Sequence, residues 1–151
     1  LDNGNKISSL SETLLFLAAR SDLVNKKIKP NLLDGNLYII CDRFLDSTLA
    51  YQSYGRGVNL ELVKSITLEA TNRIVPSTTF LLDCDINLCL SRINKKDRME
   101  NEGKDFLVKV KNGFLELAKL NKKRYVIVDA SKNIVEIEAY IWNKFKSRYM
   151  K

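Results

Sequence analysis

Apolar side chains recur at helical intervals near the start of the chain, from position 14 to about Lys29. Serines at positions 8, 9 and 11 are candidate N-caps for this helix, and Pro30 permits a break after it. Five further segments are predicted to be helical: 47–53, Leu60 to about Arg73, 86–93, Phe106 to Leu117 and Ile134 to Phe145.

Three short apolar runs predict strands that are covered on both faces: 37–41 (LYIIC), 79–83 (TFLLD) and 125–128 (YVIV). Strands that alternate with helices imply an α/β fold with a parallel sheet and right-handed crossovers. Ligands of such a sheet bind at the carboxyl ends of its strands. Charged residues end or directly follow all three runs, so the sequence predicts a ligand site at this edge: Asp42, Arg43, Asp83 and Asp129.

Length and charge narrow the class of protein. The 151 residues fit one domain spanning 1–151, and no apolar run approaches the roughly 18 residues that a membrane span requires. We therefore expect a soluble protein without a membrane partner. The formal net charge of +7 favours an anionic partner, which is a nucleotide, a nucleic acid or an acidic surface.

Residue usage restricts the chemistry. The chain has no histidine, which excludes mechanisms that need a histidine base or a histidine metal ligand. Cys41, Cys84 and Cys89 lie in apolar runs without metal-binding spacing, so we interpret them as buried, reduced core residues of a cytoplasmic protein. Asp, Glu, Arg, Lys or an oxygen-held metal remain for catalysis.

The densest group of polar side chains is the run DRFLDSTLAYQ at 42–52, directly behind the first apolar run. Arg43 can hold a phosphate through two parallel N–H bonds, and Asp42 can hold Mg²⁺ through its water molecules. From spacing alone, a helix cap with a surface ion pair is the favoured explanation of the Asp-Arg pair.

The run DRFLDSTLAYQSYGRG at 42–57 resembles bacterial thymidylate kinases, as do ETLLFLAAR at 12–20 and IKP at 28–30. The resemblance continues through FLLDCDINLCLSRI, DRME, FLVKVKNGFLELA and VIVDAS, and so covers essentially the whole chain. It implies a three-layer parallel sheet with helices on both faces, of the P-loop nucleoside triphosphate hydrolase type. It also implies transfer of a phosphoryl group from MgATP to dTMP, in dTTP biosynthesis, by a cytoplasmic homodimer.

The resemblance also implies roles for the residues that match the acceptor pocket. Phe16 corresponds to the aromatic residue that stacks on thymine, and Arg20 to the donor to a thymine carbonyl. Arg43 corresponds to the catalytic arginine that binds the dTMP phosphate, and Tyr51 to the phenol beside the deoxyribose, where a ring disfavours a 2′-hydroxyl. Three polar positions complete this pocket: Ser47, Thr48 and Gln52.

The polar stretch at 92–104 resembles the family's lid over ATP. Arg98 matches the position that reaches the phosphates, with Arg92 as a second catalytic arginine. Lys95 and Lys96 are supporting cations, where the family's type II lid carries arginine. After the last strand, Ser131 and Lys132 are weaker candidates for adenine contact.

Two motifs that the family carries are absent from the 151 residues: GxxxxGK[ST], which cradles the ATP phosphates, and Glu-Pro-Gly-Gly. In the family both lie upstream of the part that Leu1 and Asp2 match. We therefore expect that the native protein has a preceding strand and P-loop, and that the 151 residues alone turn over little or no substrate.

Three other functions stay open at this stage. A related kinase of different base specificity would differ around the pocket at 16, 20 and 48. A basic nucleic-acid-binding module would explain the net charge, although no stripe of aromatic residues interleaved with arginine accompanies the scattered lysines. A pseudoenzyme that binds dTMP without turnover is the third.

Overall fold

The computed structural model describes residues 7–33, 37–92 and 102–150. The chain divides into two compact units. The first, called here the helical unit, comprises Leu1–Val75 and Asp105–Leu115. The second, called the sheet unit, comprises Pro76–Lys104 and Glu116–Lys151. The prediction of one domain over 1–151 stays a prediction.

The first helix of the helical unit is longer than predicted. Helix α1, Ser9–Leu23, continues as a π-helical segment, Val24–Ile28, and then as α2, Lys29–Leu32. Ser8 caps α1, because its hydroxyl accepts the Ser11 N–H at 3.1 Å. Pro30 lies in the first turn of α2, where proline is tolerated, so it does not break the helix.

The second helix also extends beyond its predicted end. Helix α3, Leu45–Thr48, continues as a π-helical segment, Leu49–Gly55, so the loop predicted at 54–57 begins two residues later. Gly55 packs closely against α6, since a Cβ there would lie 2.6 Å from Phe106 Cε2. The chain therefore remains helical through Gly55, which the sequence predicts to lie in a loop.

Helix α4, Leu60–Ala70, begins at Asn59, whose side chain accepts the Leu62 N–H at 2.9 Å. It ends three residues before the predicted Arg73. The reason is local, because Asn72 and Arg73 have left-handed φ values of 49° and 57°.

The core of the helical unit mixes apolar and polar side chains. Its buried apolar members on α1, α3, α4 and the π-helical segments are Leu17, Val24, Ile28, Leu45, Leu49, Ala50 and Val63. Buried polar side chains lie in the same elements: Glu12, Thr13, Asp46, Thr48, Gln52, Ser53 and Thr67. Buried polar groups require partners, and Glu12, Thr13 and Gln52 have theirs in another segment of the unit, so these three residues constrain how the helices pack.

Helix α6, Lys104–Leu120, begins in the sheet unit, passes through the helical unit and ends in the sheet unit. Phe106 and Val110 are its buried apolar residues in the helical unit, which agrees with the predicted helical spacing. Gly113 lets this helix approach Tyr54, because a Cβ at 113 would lie 2.6 Å from Tyr54 Cγ.

The sheet unit contains β1, Thr79–Asp83, and β2, Tyr125–Asp129. The two strands pair in parallel, with Thr79 opposite Tyr125 and Asp83 opposite Asp129, as the alternation of strands and helices predicts. Their carboxyl ends therefore meet at one edge.

Two helices complete the sheet unit: α5, Ile86–Ser91, and α7, Ile134–Tyr149. Helix α7 begins with a capping box between Asn133 and Glu136. Within residues 7–33, 37–92 and 102–150, no helix combines the length and the apolar character needed to cross a bilayer.

The strand predicted at 37–41 is wrong for the described residues. Residues 37–41 adopt no strand structure, and all five side chains are exposed, with Ile40 at 91%. A strand needs a neighbour for its N–H and C=O groups, and in the described sheet β1 and β2 pair only with each other. An apolar run alone does not supply that neighbour.

The prediction of three buried, reduced cysteines is also wrong for this structure. Cys41 is exposed, because the segment that carries it forms no covered strand. Cys84 and Cys89 form a disulfide across the turn from β1 into α5, with Cα atoms 6.5 Å apart, a separation that a disulfide can bridge. The cysteines therefore no longer indicate a reducing compartment.

Replacing Gly113 with alanine should destabilise the protein. Glycine to alanine within a helix ordinarily stabilises by about 0.4–1 kcal/mol, but overpacking costs about 1–3 kcal/mol. We expect the clash with Tyr54 to dominate and to lower the free energy of unfolding in urea titrations. Asn112→Ala, at the exposed neighbouring position, is the control and should be neutral or stabilising. Stabilisation by Gly113→Ala would contradict the close packing of Tyr54 on α6.

Candidate functional site

Helix α1 carries the first two candidate residues on one face. Phe16 and Arg20 are four residues apart, so their side chains lie one turn apart on the same side of the helix. The Phe16 ring is 38% exposed, which leaves it open to a ligand. The Arg20 guanidinium lies over the Phe44 ring, with its Cζ atom 5.3 Å from the ring centroid.

Arg20 is a partly buried cation with donor capacity left over. Burial lowers the pKa of its guanidinium, while the nearby Cys41 and Asp46 act in the opposite direction. Its Nε atom is buried and has no hydrogen-bond partner among the described residues. An unpartnered buried donor is costly, so this atom would gain from a ligand acceptor.

Arg43 lies between the exposed segment 37–41 and α3, which begins at Leu45. Its φ of 66° lies in the left-handed region, which is uncommon for a residue other than glycine and concentrates at functional sites. The side chain is exposed, and its guanidinium carbon lies 5.1 Å from the centroid of the Tyr51 ring. The backbone and the ring together hold a cation where an anion can reach it.

Helix α3 and its π-helical continuation carry the remaining polar candidates. Ser47 is half-buried, whereas Thr48 and Gln52 are buried. The Thr48 hydroxyl has no hydrogen-bond partner in the described part of the chain. Gln52 Oε1 lies 3.3 Å from Thr13 Oγ1, so its amide is anchored to α1.

These groups can recognise a planar heterocycle that carries an anion. An exposed aromatic ring beside a donor suits a base, because the ring stacks and the donor selects an edge. Arg43 supplies the charge for a phosphate. All of these candidates belong to the helical unit: Phe16, Arg20, Asp42, Arg43, Ser47, Thr48, Tyr51 and Gln52.

A cleft of about 520 Å³ lies in the same unit, between the first helix and residues 37–43. Its lining reaches Asp42 and Arg43, but Phe16, Thr48 and Tyr51 are not part of it. Most of this cleft is apolar surface of the exposed segment. We therefore locate the candidate site by the polar and aromatic contacts instead of by the cleft.

Asp42 is the candidate metal ligand. Its side chain is exposed and therefore open to a hydrated ion. Over the described ranges, no three His, Cys, Asp or Glu side chains gather into a metal-binding group. Mg²⁺ commonly takes one or two carboxylates together with water and substrate phosphates, so a single aspartate fits that mode of binding.

The sheet unit holds two further candidates near the end of β2. The Arg92 guanidinium donates to the carbonyl oxygens of Ala130 and Ser131 at 2.6 and 3.1 Å. The Ser131 N–H and hydroxyl donate to Asp129 at 3.0 and 2.6 Å, and these bonds lower the pKa of that carboxyl. Arg92 thus fixes the loop between β2 and α7.

The predicted lid residues Lys95, Lys96 and Arg98 lie outside the described residues. Arg92 and residues 102–104, at the two ends of the predicted lid, are described. Lys132, the weaker adenine candidate, is exposed.

Sequence reasoning assigned no site role to three residues of the helical unit that contact one another: Glu12, Arg56 and Phe106. Glu12 is 2% exposed and forms an ion pair with Arg56. The Arg56 guanidinium also lies 5.3 Å from the centroid of the Phe106 ring. One signal was available, because positions 12, 16 and 20 repeat every four residues and so share one side of α1.

Comparison with known proteins identifies close relatives. The family model described as "Thymidylate kinase" matches residues 1–141. A thymidylate kinase of Synechococcus sp. (strain JA-3-3Ab) is 40% identical over 148 residues, which are 98% of this chain and 72% of the relative. The thymidylate kinase of Deinococcus radiodurans is 40% identical over 151 residues, covering 98% of this chain and 73% of the relative.

A solved structure supports the same relationship. The crystal structure of thymidylate kinase from Ehrlichia chaffeensis matches with a TM-score of 0.66 and 32% identity. The match covers 83% of this chain and 61% of that one. The described fold therefore resembles a known α/β enzyme, although the described sheet has two strands.

The two buried threonines of the helical unit should respond oppositely to valine. Thr48→Val removes a hydroxyl without a described partner, so we expect the free energy of unfolding to stay constant or rise by up to about 1 kcal/mol. Thr13→Val should lower it by about 1 kcal/mol, because the Thr13 hydroxyl contacts the Ser9 carbonyl at 2.7 Å and Gln52. Thermal and urea unfolding of both variants test this. Equal destabilisation would show that Thr48 has a protein partner.

Proposed function

Because this chain belongs to the thymidylate kinase family, we propose that it transfers the terminal phosphoryl group of ATP to dTMP, giving dTDP and ADP for dTTP synthesis. The family model and relatives at 40% identity support this activity above a kinase of different base specificity or a nucleic-acid-binding module. The observation that carries the site is the pairing of Phe16 and Arg20 on one helix face within the unit that also holds Arg43 and Tyr51.

The thymine base binds along α1. Its ring stacks on Phe16, which is exposed, and one of its carbonyl oxygens accepts a hydrogen bond from Arg20. The unpartnered Arg20 Nε supports this assignment, since a carbonyl would satisfy a buried donor. The buried hydroxyl of Thr48, which also has no described partner, faces the base or phosphate.

The phosphate of dTMP binds to Arg43, and the deoxyribose lies beside Tyr51. An exposed guanidinium held over an aromatic ring has lost part of its freedom before the ligand arrives, which lowers the entropic cost of binding. A ring at the sugar's 2′ position disfavours ribose by excluding the extra hydroxyl. Ser47 borders the phosphate, and the anchored Gln52 completes the wall of the pocket.

Phosphoryl transfer itself requires little covalent help from the protein. A dTMP phosphate oxygen attacks the γ-phosphorus of ATP, and the bond from that phosphorus to the bridging oxygen of ADP breaks. The protein aligns the groups and neutralises charge, which is the role we assign to Arg43, Arg92 and Arg98. Lys95, Lys96 and Ser131 contribute to the ATP side.

The donor is bound as a magnesium complex. Mg²⁺ would neutralise charge on the ATP phosphates, and Asp42 is the side chain of this chain that would hold it through water. Beyond the site, we propose that the chain belongs to one thymidylate kinase domain with a three-layer parallel sheet, acts as a homodimer, and works in the cytoplasm.

Binding of dTMP and thymidine to variants of this chain tests the two halves of the pocket separately. Arg43→Ala should weaken dTMP roughly 10–100-fold, because charged hydrogen bonds are worth about 1.5–3 kcal/mol, and should leave thymidine unchanged. Arg20→Ala should weaken both ligands by similar factors, since both carry the base. Isothermal titration calorimetry measures all four affinities without requiring turnover.

Arg73→Ala is the matched control, because Arg73 is an exposed arginine of the same unit that pairs with Glu69 on the surface. It should bind both ligands like the parent chain. Loss of thymidine binding in Arg43→Ala, or no effect of Arg20→Ala, would contradict the assigned roles.

A further inference from the structure

We propose that Glu12 and Arg56 are positioning residues for the dTMP site, acting through the aromatic side chains between them and Arg43. The inference rests on the proposed function, because it concerns the residues assigned to dTMP. Both side chains are shielded from solvent: Glu12 is 2% exposed and the Arg56 side chain is 13% exposed. Their charged ends are engaged with each other, which is why we assign them a positioning role and not a contact with the ligand.

The first step is the ion pair. Both guanidinium and carboxylate ends take part, since Arg56 Nε pairs with Glu12 Oε2 and Arg56 Nη2 donates to Glu12 Oε1 at 3.4 Å. Two partners with planar groups fix orientation as well as distance. A buried carboxylate needs such a partner, so α1 and the end of the π-helical segment Leu49–Gly55 are held in one register.

Aromatic contacts connect Arg56 to Arg43, the residue that we assign to the phosphate. The Arg56 guanidinium lies 5.3 Å from the centroid of Phe106, whose ring lies 6.1 Å from that of Tyr51. Tyr51 also contacts Arg43, whose guanidinium carbon lies 5.1 Å from the centroid of the Tyr51 ring. Glu12, Arg56, Phe106, Tyr51 and Arg43 thus form one contiguous series of side chains.

Tyr51 is the aromatic residue in direct contact with Arg43. Its ring contacts two residues of α6, Phe106 and Phe114, the latter in an edge-on contact at 6.2 Å. A ring packed this way cannot follow Arg43 if that side chain shifts. The position of Phe106, and hence the Arg56 guanidinium that lies over its ring, therefore influences where the Arg43 guanidinium rests.

A second, independent contact joins the same helices. Thr13, which is next to Glu12, lies 3.3 Å from Gln52, which is next to Tyr51 and Ser53 in the chain. Both side chains are fully buried. The ion pair and this contact together set the distance between the base-binding face of α1 and the residues that hold the sugar and phosphate.

The test compares Glu12→Gln and Arg56→Lys with Glu69→Gln. Glu12→Gln removes the charge at nearly constant size, and Arg56→Lys keeps the charge but loses the planar group. Glu69→Gln breaks an exposed pair with Arg73 and is the matched control. Affinity for dTMP and for thymidine is measured by calorimetry at a temperature where circular dichroism shows each variant to be folded.

We expect Glu12→Gln to weaken dTMP at least tenfold and Arg56→Lys to weaken it severalfold, with Glu69→Gln unchanged. The signature that a purely structural role would not produce is a shift of the Arg43 Nε–H resonance in the NMR spectrum of the folded variants. If Glu12→Gln does not fold, Arg56→Lys carries the test.

Parent-like dTMP affinity and an unshifted Arg43 resonance in the folded variants would overturn the inference and leave the proposed function standing. Absence of dTMP binding by the unaltered chain would instead contradict the proposed function itself. The two failures are therefore distinguishable in one set of titrations.

Discussion

The buried charge of Glu12 constrains the helical unit more than any other single feature. A carboxylate removed from water is tolerated only with a cation and hydrogen bonds, and breaking such a buried pair by removing one member costs about 3–5 kcal/mol. Arg56 is that cation, and it comes from the end of the segment that carries the sugar-binding candidates. Helix α1 and the segment Leu49–Gly55 therefore cannot move apart unless Glu12 loses its partner or becomes exposed to water.

That constraint connects the packing of the helical unit with its chemistry. Helix α6 packs closely against the segment that carries Tyr51, because Phe106 meets Gly55 and Gly113 meets Tyr54. The rings of Tyr51 and Phe106 lie beside Arg43, the exposed arginine with a left-handed backbone. The outcome is an open, cationic, aromatic surface built on buried polar contacts. An anion that bound to such a surface would require little rearrangement, because the charged group is already restrained.

Much of the architecture follows from the apolar pattern, with one informative exception. The runs at 79–83 and 125–129 became paired parallel strands, whereas 37–41, with the same pattern, did not. An apolar run specifies that a segment can be covered, but the covering strand comes from elsewhere in the chain. Helix ends were mispredicted for local reasons, at Pro30 and at the left-handed residues after α4.

The candidate site likewise contains residues that the sequence predicts and residues that only the structure reveals. Resemblance to a family predicts site roles for Phe16, Arg20, Arg43 and Tyr51, which the structure places in one unit. The roles themselves stay predictions. The resemblance did not identify the support beneath them, because a glutamate in a helix ordinarily faces water and an arginine in a Gly-rich run ordinarily belongs to a loop. Only the packing of the helices shows that Glu12 and Arg56 meet in the interior.

The most direct measurement is a crystal structure of this chain with dTMP. We predict that the thymine ring lies on Phe16 and that a thymine carbonyl lies within hydrogen-bond distance of Arg20. The phosphate should lie on the Arg43 guanidinium, beside Tyr51. A nucleotide bound elsewhere, for example in the apolar cleft along residues 37–43 with Phe16 and Arg20 uncovered, would contradict this prediction.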